Sequence, residues 1–268
     1  MPNVEIHPTA IVSPGAVIGN GSTIGPYSVV GEEVEIGSDC NIHNHVVITG
    51  KCRIGKKNTF HSHSVIGGLS QDLKYSSEPT FLEIGDSNNF REFVTINRGT
   101  EPDSKTIVGS YGNFLAYSHI AHDCKVGDHV HTANNVLLGG HVHVGDFVNL
   151  SGSVAVHHFS TIGSYAFVGG LSRVVQDIPP YLIAEGSPAR PRAINIVALK
   201  RNGFHQDEID ALRKAYKLIF RQKVEHQIVR DTLLARNELI PSVNQILNFL
   251  DKKTQGRNGR ARQKRIAA

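Results

Sequence analysis

The feature that most constrains the fold of this chain is an apolar residue at every sixth position. The phase holds at 26 positions from Ile6 to Val174, and Thr132 is the single polar residue among them. Neither an α-helix, with about 3.6 residues per turn, nor a strand, with a period of about two, produces this spacing. An internal repeat of fixed short period indicates that one small structural unit is stacked many times.

A second set of positions defines the shape of that unit. Four residues after most apolar anchors lies a small or β-branched residue, such as Ser22, Cys40 or Val94. Two inward positions in each hexapeptide give one flat face of a narrow prism, and three hexapeptides in succession close one coil. Stacked coils share backbone hydrogen bonds at a spacing of about 4.8 Å, as strands of a parallel sheet do. The predicted fold class is an all-β solenoid, a parallel β-helix of hexapeptide repeats.

A glycine often follows the apolar anchor, as Gly19, Gly25 and Gly37 do. Each such residue lies where the chain passes from one face of the prism to the next. Glycine adopts positive φ at no steric cost. We therefore expect these glycines to turn the corners of the prism with positive φ.

The repeat also divides the chain into regions. Residues 1–190 carry the repeat, with interruptions near 68–81 and 98–105 that preserve its phase and so predict two loop insertions. From 191 to 252 the apolar spacing becomes helical, which predicts a small C-terminal α-helical domain that caps the solenoid. Residues 253–268 are basic and lack acidic residues, and we expect them to form a disordered tail.

The composition limits the cellular compartment and the binding partners that we expect for this protein. The net charge is +4, but residues 252–268 carry seven Lys or Arg, and the rest of the chain carries −3, so we expect no nucleic-acid partner. No apolar run approaches the roughly 20 residues that span a bilayer, so no stable membrane insertion is expected. The repeat begins by Ile6 without a signal-peptide pattern, and the inward positions of Cys40, Cys52 and Cys124 suit buried thiols in a reducing compartment. We expect a cytoplasmic protein.

Polar residues cluster on one outer edge of the predicted prism. Thirteen of the fifteen histidines lie in the repeats, and none occupies an inward position. Because residues separated by three hexapeptides stack on successive coils, the prism brings together five side chains within three coils. The cluster consists of His122, Asp123, His141, His157 and His158.

This cluster suits acid–base chemistry. An imidazole has a pKa near about 6.5, so His122 can accept a proton at cellular pH, and the neighbouring Asp123 can hold its tautomer. Gly140 stacks on His122 and leaves its backbone N–H uncovered, which suits an oxyanion donor. Cys124 points inward, and the chain contains no nucleophile elbow or phosphate-binding glycine loop. Four further histidines are expected to be ordinary polar surface: His45, His63, His129 and His143.

Several longer motifs resemble those of the UDP-N-acetylglucosamine O-acyltransferases that begin lipid A synthesis. The resemblance spans roughly residues 4 to 250. The motifs are QDLKY (71–75), REFVTINRGT (91–100), HIAHDC (119–124), GGH (139–141), AVHHF (155–159), QDIPPY (176–181) and LKRNGF (199–204). The resemblance implies that the coil is left-handed and that the protein is a homotrimer with sites in the clefts between solenoids.

The resemblance also implies a reaction. A 3-hydroxyacyl chain would pass from the thioester of acyl carrier protein to the 3-hydroxyl of UDP-N-acetylglucosamine, directly and without a metal or other cofactor. His122 matches the general base of this family, Asp123 its partner and Gly140 the oxyanion donor. Positions matching substrate contacts are Gln71, Asp72, Lys74, His119, His141, His157, His158, Gly170 for acyl-chain length, and Asn195 and Arg201 for the nucleotide or carrier.

Some positions differ from the family pattern, and alternatives stay open. His158 stands where glutamine is usual, while Val197 and Asn202 stand where an acidic residue and a second arginine are often found. These differences concern the nucleotide and carrier contacts. The sequence leaves open the acyl-chain length and a 3-amino acceptor sugar. A γ-type carbonic anhydrase-like zinc enzyme with three histidine ligands and a non-catalytic hexapeptide-repeat scaffold are the alternative functions.

Overall fold

A computed structural model describes residues 3–255 and 259–262 of the protein. Its first part consists of short strands, most of them two residues long, and 28 strands lie in the described residues. The strands are β1 (Glu5–Ile6), β2 (Ile11–Val12), β3 (Val17–Ile18), β4 (Thr23–Ile24), β5 (Val29–Val30), β6 (Val34–Ile36), β7 (Asn41–Ile42), β8 (Val47–Ile48), β9 (Lys51–Ile54), β10 (Thr59–Phe60), β11 (Val65–Gly68), β12 (Phe81–Ile84), β13 (Asn89–Phe90), β14 (Thr95–Asn97), β15 (Lys105–Val108), β16 (Asn113–Phe114), β17 (His119–Ile120), β18 (Lys125–Val126), β19 (His131–Thr132), β20 (Leu137–Leu138), β21 (His143–Val144), β22 (Asn149–Leu150), β23 (Ala155–Val156), β24 (Thr161–Ile162), β25 (Phe167–Val168), β26 (Arg173–Val174), β27 (Leu182–Gly186) and β28 (Ala189–Ile194).

As far as β26, every third strand belongs to the same sheet, so the chain winds around a three-sided prism. Sheets of 11, 9 and 8 strands form the three faces, and pairing is parallel until the final hairpin. Ile24 pairs with Ile42 on the next coil, three hexapeptides further along the chain. The chain leaves the β-helix between β11 and β12 and again between β14 and β15, so Thr59 pairs with Asn89, and Asn89 with Asn113, across longer coils.

The apolar anchors fill the interior of the prism. Phe60, Phe90 and Phe114 are fully buried, and their rings stack with centroid distances of 4.9 and 5.0 Å. Thr132, the polar anchor, comes next in this column, and its hydroxyl lies 3.0 Å from the buried Ser118 hydroxyl. A small inward residue therefore satisfies the one polar anchor, as a buried hydroxyl requires.

The expectation that a glycine after the anchor turns the corner with positive φ is wrong for most of these glycines. The residues with positive φ lie two positions later and carry side chains, as Tyr27 (φ 59°) and His45 (φ 57°) do. Glycine is needed at these positions because the backbones of successive coils approach each other closely there. A Cβ at Gly19 would lie 2.5 Å from the carbonyl carbon of Gly37, and one at Gly37 would lie 2.7 Å from that of Gly55. The coil spacing leaves no room for a side chain there.

The residues with positive φ form stacked columns along the corners of the prism. Aromatic and imidazole rings follow one another nearly parallel, because each ring sits one coil above the last. The first column is Tyr27, His45, His63, Phe93 and Tyr117, and the second is Tyr111, His129, Phe147, Tyr165 and Tyr181. Offset parallel stacking of this kind adds to the burial energy of the rings.

A hairpin and helices close the C-terminal end of the β-helix. β27 pairs with Phe167–Val168 in parallel and with β28 in antiparallel orientation, a hairpin that the hexapeptide pattern does not predict. The helices are α1 (Ile196–Arg201), α2 (Gln206–Tyr216), which continues as a π-helical turn at Lys217–Arg221, α3 (His226–Ala235) and α4 (Pro241–Thr254). Their apolar faces form a second core that includes Leu199, Leu212 and Ile246. None of the described helices is long and apolar enough to span a membrane.

The C-terminal segment differs in part from expectation. Helix α4 continues to Thr254, and Gly259–Arg262 form a 3-10 turn whose Arg262 side chain contacts the β-helix. The expectation of a disordered tail over 253–268 therefore does not hold for these parts, because hydrogen bonds to the β-helix order the turn. Residues 256–258 and 263–268 lie outside the described residues.

The stacked phenylalanine column predicts a large effect of truncation. Phe90→Ala removes a fully buried ring between two others, so we expect the free energy of unfolding to fall by about 3–5 kcal/mol. Tyr111→Ala is the matched control, because Tyr111 is 58% exposed on an outer corner. Urea denaturation followed by circular dichroism measures both. Equal losses for the two variants would contradict the greater contribution assigned to the buried ring.

Candidate active site

His122 lies at the corner that follows β17. Its ring points away from the apolar interior, as the repeat predicts, yet only 9% of the residue is exposed. The second loop covers it, because the Thr100 hydroxyl oxygen lies 2.8 Å from His122 Nδ1. The imidazole is thus outside the prism but shielded from bulk water.

His122 and Asp123 form a hydrogen-bonded pair. The His122 Nδ1–H donates to Asp123 Oδ2 at 2.9 Å. The Asp123 backbone N–H donates to Thr106 Oγ1 at 2.8 Å, which holds the turn. Burial by itself would raise the pKa of Asp123, but hydrogen bonds from His122, Ser104 and Thr100 outweigh it and lower that pKa. The carboxylate therefore stays ionised at neutral pH and keeps the imidazole proton on Nδ1.

The other ring nitrogen of His122 faces Gly140. A Cβ at position 140 would overlap His122 Cε1 and Nε2, so only glycine leaves this side of the ring free. The Gly140 carbonyl accepts a hydrogen bond from the Phe159 N–H at 2.9 Å. The Gly140 N–H donates to no backbone carbonyl among the described residues. His122 Nε2, which can accept a proton, therefore lies beside the Gly140 N–H, which has no backbone acceptor among the described residues.

His141 packs against this pair from the next coil. Its ring meets the His122 ring edge-on at 5.2 Å, and its Nε2 lies 3.7 Å from Asp123 Oδ2. The opposite side of His141 stacks on Phe159 with a centroid distance of 4.4 Å. Burial lowers the pKa of His141 despite the opposing charge of Asp123, so this ring is neutral at neutral pH.

An open cleft of about 540 Å³ lies beside His122. His119 lines it, and its Nδ1 lies 2.7 Å from the Thr95 hydroxyl. Burial, with a smaller contribution from His122, lowers the pKa of His119. The cleft is lined by Gln71, His119, His122, Gly140, His157 and Arg173, with apolar residues between them.

The first loop, the insertion near 68–81, also reaches the cleft beside His122. The Ser70 and Thr100 hydroxyl oxygens are 2.6 Å apart, and the Asp72 N–H donates to Ser70 Oγ at 3.2 Å. Ligand-type atoms of Asp72, His122 and His141 lie within 4.8 Å of one another. Gln71 and Asp72 are thus brought to the site, while Lys74, whose backbone N–H donates to Asp72 Oδ1, has an exposed side chain.

Asn195 and Arg201 do not line this cleft. Asn195 is 5% exposed, donates to the Tyr165 carbonyl at 2.8 Å and accepts a hydrogen bond from the Ala198 N–H at the start of α1. Arg201 is exposed in the last turn of α1. In the described chain, Asn195 thus secures the helical cap to the β-helix.

His158 and Gly170 lie on the coils beyond the cleft. The His158 ring packs against the His157 ring with centroids 3.8 Å apart. A Cβ at Gly170 would approach the Gly152 carbonyl oxygen to 3.4 Å, so the surface there is open enough to accept a side chain at modest cost. Neither residue is among those that line the cleft.

The hexapeptide pattern does not single out three residues that build the site. Thr100, Ser70 and Thr106 connect the two loops to His122 and Asp123 through their hydroxyls. Thr100 stands four residues after the anchor Ile96 and also lies in the REFVTINRGT motif, but neither signal indicates a contact with His122.

The expectation that His143 is ordinary polar surface is wrong. Its Nε2 lies 2.8 Å from Nη1 of Arg262, in the C-terminal turn that docks against the β-helix. The ring is half-buried, and this burial is the main reason that its pKa falls to about 4. The contact involves a segment far along the chain, so the repeat could not indicate it.

The three-sided coil with an outward His122–Asp123 pair places the chain in the hexapeptide-repeat class of proteins. A bacterial transferase hexapeptide family model, described as six repeats, matches residues 1–32. A model described as UDP-N-acetylglucosamine O-acyltransferase, domain 2, matches residues 177–258.

Solved structures cover nearly the whole chain. LpxA from Acinetobacter baumannii is 41% identical, with 92% of this chain and 96% of that chain covered and a TM-score of 0.88. UDP-N-acetylglucosamine O-acyltransferase (LpxA) from Moraxella catarrhalis is 40% identical with the same coverage and TM-score. The UDP-N-acetylglucosamine acyltransferase from Arabidopsis is 36% identical, with 95% and 99% covered and a TM-score of 0.84.

The chain belongs to the UDP-N-acetylglucosamine O-acyltransferase family. The expected left-handed parallel β-helix with a helical cap and the expected enzyme class, an O-acyltransferase of lipid A biosynthesis, are thereby confirmed. A zinc hydratase and a non-catalytic scaffold do not agree with this membership.

The contact between Gly140 and His122 yields a sharp prediction. Gly140→Ala places a methyl group where the imidazole lies, so the ring must move, and we expect kcat/KM to fall by roughly a hundredfold or more. Gly152→Ala is the control at the same position of its hexapeptide, where the nearest atom to a Cβ is 3.7 Å away. Steady-state kinetics and thermal melting are measured for both. Full activity of Gly140→Ala would contradict the described ring position.

Proposed function

We propose that this enzyme transfers a 3-hydroxyacyl chain from acyl carrier protein to the 3-hydroxyl of UDP-N-acetylglucosamine, with His122 as general base. The observation that supports this role is the orientation of His122. Its Nδ1 is occupied by Asp123, and its Nε2 side opens beside the Gly140 backbone at the edge of the cleft. A neutral imidazole held in this tautomer is suited to remove a proton from a sugar hydroxyl.

The proposed reaction is direct transfer. His122 Nε2 takes the proton of the sugar hydroxyl as the oxygen attacks the thioester carbonyl carbon. The carbonyl electrons move to the oxygen, and the Gly140 N–H donates a hydrogen bond to that oxyanion. When the intermediate collapses, the C–S bond breaks and the imidazolium returns its proton to the departing thiolate of the carrier. Asp123 stabilises the imidazolium between the two proton transfers.

The cysteines do not compete as nucleophiles in this proposal. Cys124, the nearest in sequence to His122, is fully buried, and burial raises the pKa of its thiol to about 12. Cys52 is likewise buried, which raises its pKa to about 12. A thiol protonated at cellular pH is a poor nucleophile, which supports transfer without an acyl-enzyme.

We assign the polar residues of the cleft to substrate contacts. Gln71, His119 and His157 line it, and Asp72 lies beside His122 and His141. The groups that these side chains would contact are the sugar hydroxyls and the N-acetyl group.

Three more residues would contact the outer parts of the two substrates. Lys74 extends from the first loop with an exposed side chain that can reach an anionic group such as a phosphate. His158 and Gly170 would contact the acyl chain beyond the cleft. The open surface beside Gly170 supports this assignment, because a Cβ there would meet only the Gly152 carbonyl oxygen at 3.4 Å and the Ser151 Cβ at 3.9 Å.

A homotrimer would complete this site. Asn195 and Arg201 lie away from the cleft of their own chain, so we propose that they serve the nucleotide or carrier from a neighbouring subunit. Exposed apolar side chains support a subunit interface, since large apolar patches on a surface mark contacts with partners. They include Tyr27, Phe93, Tyr117, Leu137 and Leu171. Light scattering of the purified protein should give three times the chain mass of 29.2 kDa.

We also propose that the enzyme works in the cytoplasm. Three buried free cysteines support this proposal, because thiols stay unpaired in a reducing compartment.

A defined assay tests the reaction. Purified protein is incubated with a panel of acyl carrier protein thioesters of different chain length and with UDP-N-acetylglucosamine or its 3-amino analogue, and products are read by mass spectrometry. We expect an ester of the 3-hydroxyl from a 3-hydroxyacyl donor. Transfer to the 3-amino sugar alone would overturn the proposed acceptor, and no transfer from any donor would overturn the proposed reaction.

The same assay tests the base. His122→Ala should lower kcat by roughly a hundredfold to ten-thousandfold, the range in which positioned proton transfer contributes. His129→Ala is the matched control, because His129 stacks between Tyr111 and Phe147 on another corner. Comparable activity of the two variants would show that proton transfer does not depend on His122.

A further inference from the structure

The last described side chain of the protein sits behind the catalytic corner. Arg262 Nη2 donates hydrogen bonds to the His141 carbonyl at 2.8 Å and to the Phe159 carbonyl at 2.6 Å. Its Nη1 lies 2.8 Å from His143 Nε2. The two carbonyls occupy equivalent positions on successive coils, so one guanidinium joins both coils at the same corner. A planar fork of N–H donors suits such a bridge.

A glycine seats this turn on the β-helix. The Gly259 N–H lies 3.4 Å from Thr161 Oγ1, and a Cβ at Gly259 would overlap the Asp177 carboxylate. Asp177 Oδ1 in turn accepts a hydrogen bond from the Thr161 N–H at 2.8 Å. Gly259 also has a φ of 64°, which disfavours other residues. The backbone that carries Arg262 is thus positioned by specific contacts.

The rings of Phe159 and His141 lie between Arg262 and the His122–Asp123 pair. The guanidinium carbon lies 5.8 Å from the centre of the Phe159 ring. Phe159 stacks on His141, which meets the His122 ring edge-on. Movement of the corner at 141 and 159 would therefore change the packing behind His122.

We propose that Arg262 is a positioning residue that ties these two coils together and holds His141 against the His122–Asp123 pair. The proposal rests on the role of His122 as base. Arg262 contacts backbone and rings behind the site and is not among the residues that line the cleft. Its effect on the reaction would pass through His141.

The charges around the two rings support an electrostatic contribution. Burial, and then the charges of Arg262, Lys125 and His141, lower the pKa of His143 to about 4. Burial also lowers the pKa of His141, where Asp123 and Asp72 oppose the shift, and His122 and Arg262 act with it. Loss of Arg262 removes a positive charge and admits water, so both pKa values should rise.

Kinetics on the full-length protein test the proposal. For Arg262→Ala we expect kcat/KM to fall by roughly tenfold, mainly in kcat, because the contact is behind the site. Arg262→Lys should recover part of the loss, since an ammonium can donate to one carbonyl but not as a fork. Arg236→Ala is the control, because Arg236 is an exposed arginine at the end of α3, and it should match the unmodified protein.

Titration of Cε1-labelled histidines by NMR supplies a readout that needs no turnover. In Arg262→Ala the pKa of His143 should rise from about 4 towards the ordinary value of about 6.5, and that of His141 should rise with it. Gly259→Ala should shift both in the same direction, because it displaces the turn while retaining the arginine. A change confined to thermal stability, with kcat and both pKa values unaltered, would overturn the positioning role. Failure of His122 as base would instead appear as an active His122→Ala variant with the titration shifts intact.

Discussion

The stacking of each three-sided coil directly on the next is the constraint on which the rest of the structure depends. Backbone hydrogen bonds between parallel strands set the distance between coils, and apolar anchors such as Ile42 and Phe90 bury one side of every strand. A slip of one residue would turn these anchors outward. The same register decides that His122, Gly140 and His141 meet on one edge, so the core and the site are consequences of one pairing pattern.

The candidate site shields one side of the His122 ring and leaves the opposite side uncovered. Thr100 covers His122 on the Nδ1 side, where Asp123 also binds, and Gly140 leaves the opposite side open. Reduced exposure strengthens the hydrogen bonds of the pair, because water no longer competes for them. The carboxylate stays ionised through its hydrogen bonds even though burial opposes this. An imidazole with a defined tautomer thus results from two loops folded over a rigid corner.

Much of this arrangement can be predicted from the spacing of residues, and some cannot. Columns of equivalent positions on successive coils place Asp123 beside His141 correctly, because strand stacking is local and periodic. The two loops break the period, so nothing in it indicates that Ser70 and Thr100 meet. The role expected for glycines after the anchors is wrong, because a sequence pattern marks where a side chain is forbidden without telling whether φ or close approach forbids it. Arg262 lies in a stretch expected to be disordered, since a basic composition carries no information about a specific docking position.

The sequence by itself determined the solenoid, the inward and outward sides of every coil and the histidine-rich edge, because a period of six repeats the same inward and outward positions on each coil. Only the tertiary structure decided how deeply His122 is covered, which hydroxyls hold its partner and where the C-terminal turn docks. Those outcomes depend on contacts between segments far apart in the chain. Chain entropy, loop shape and the space beside each glycine all contribute to the free energy of these contacts. No spacing along the chain encodes such contacts.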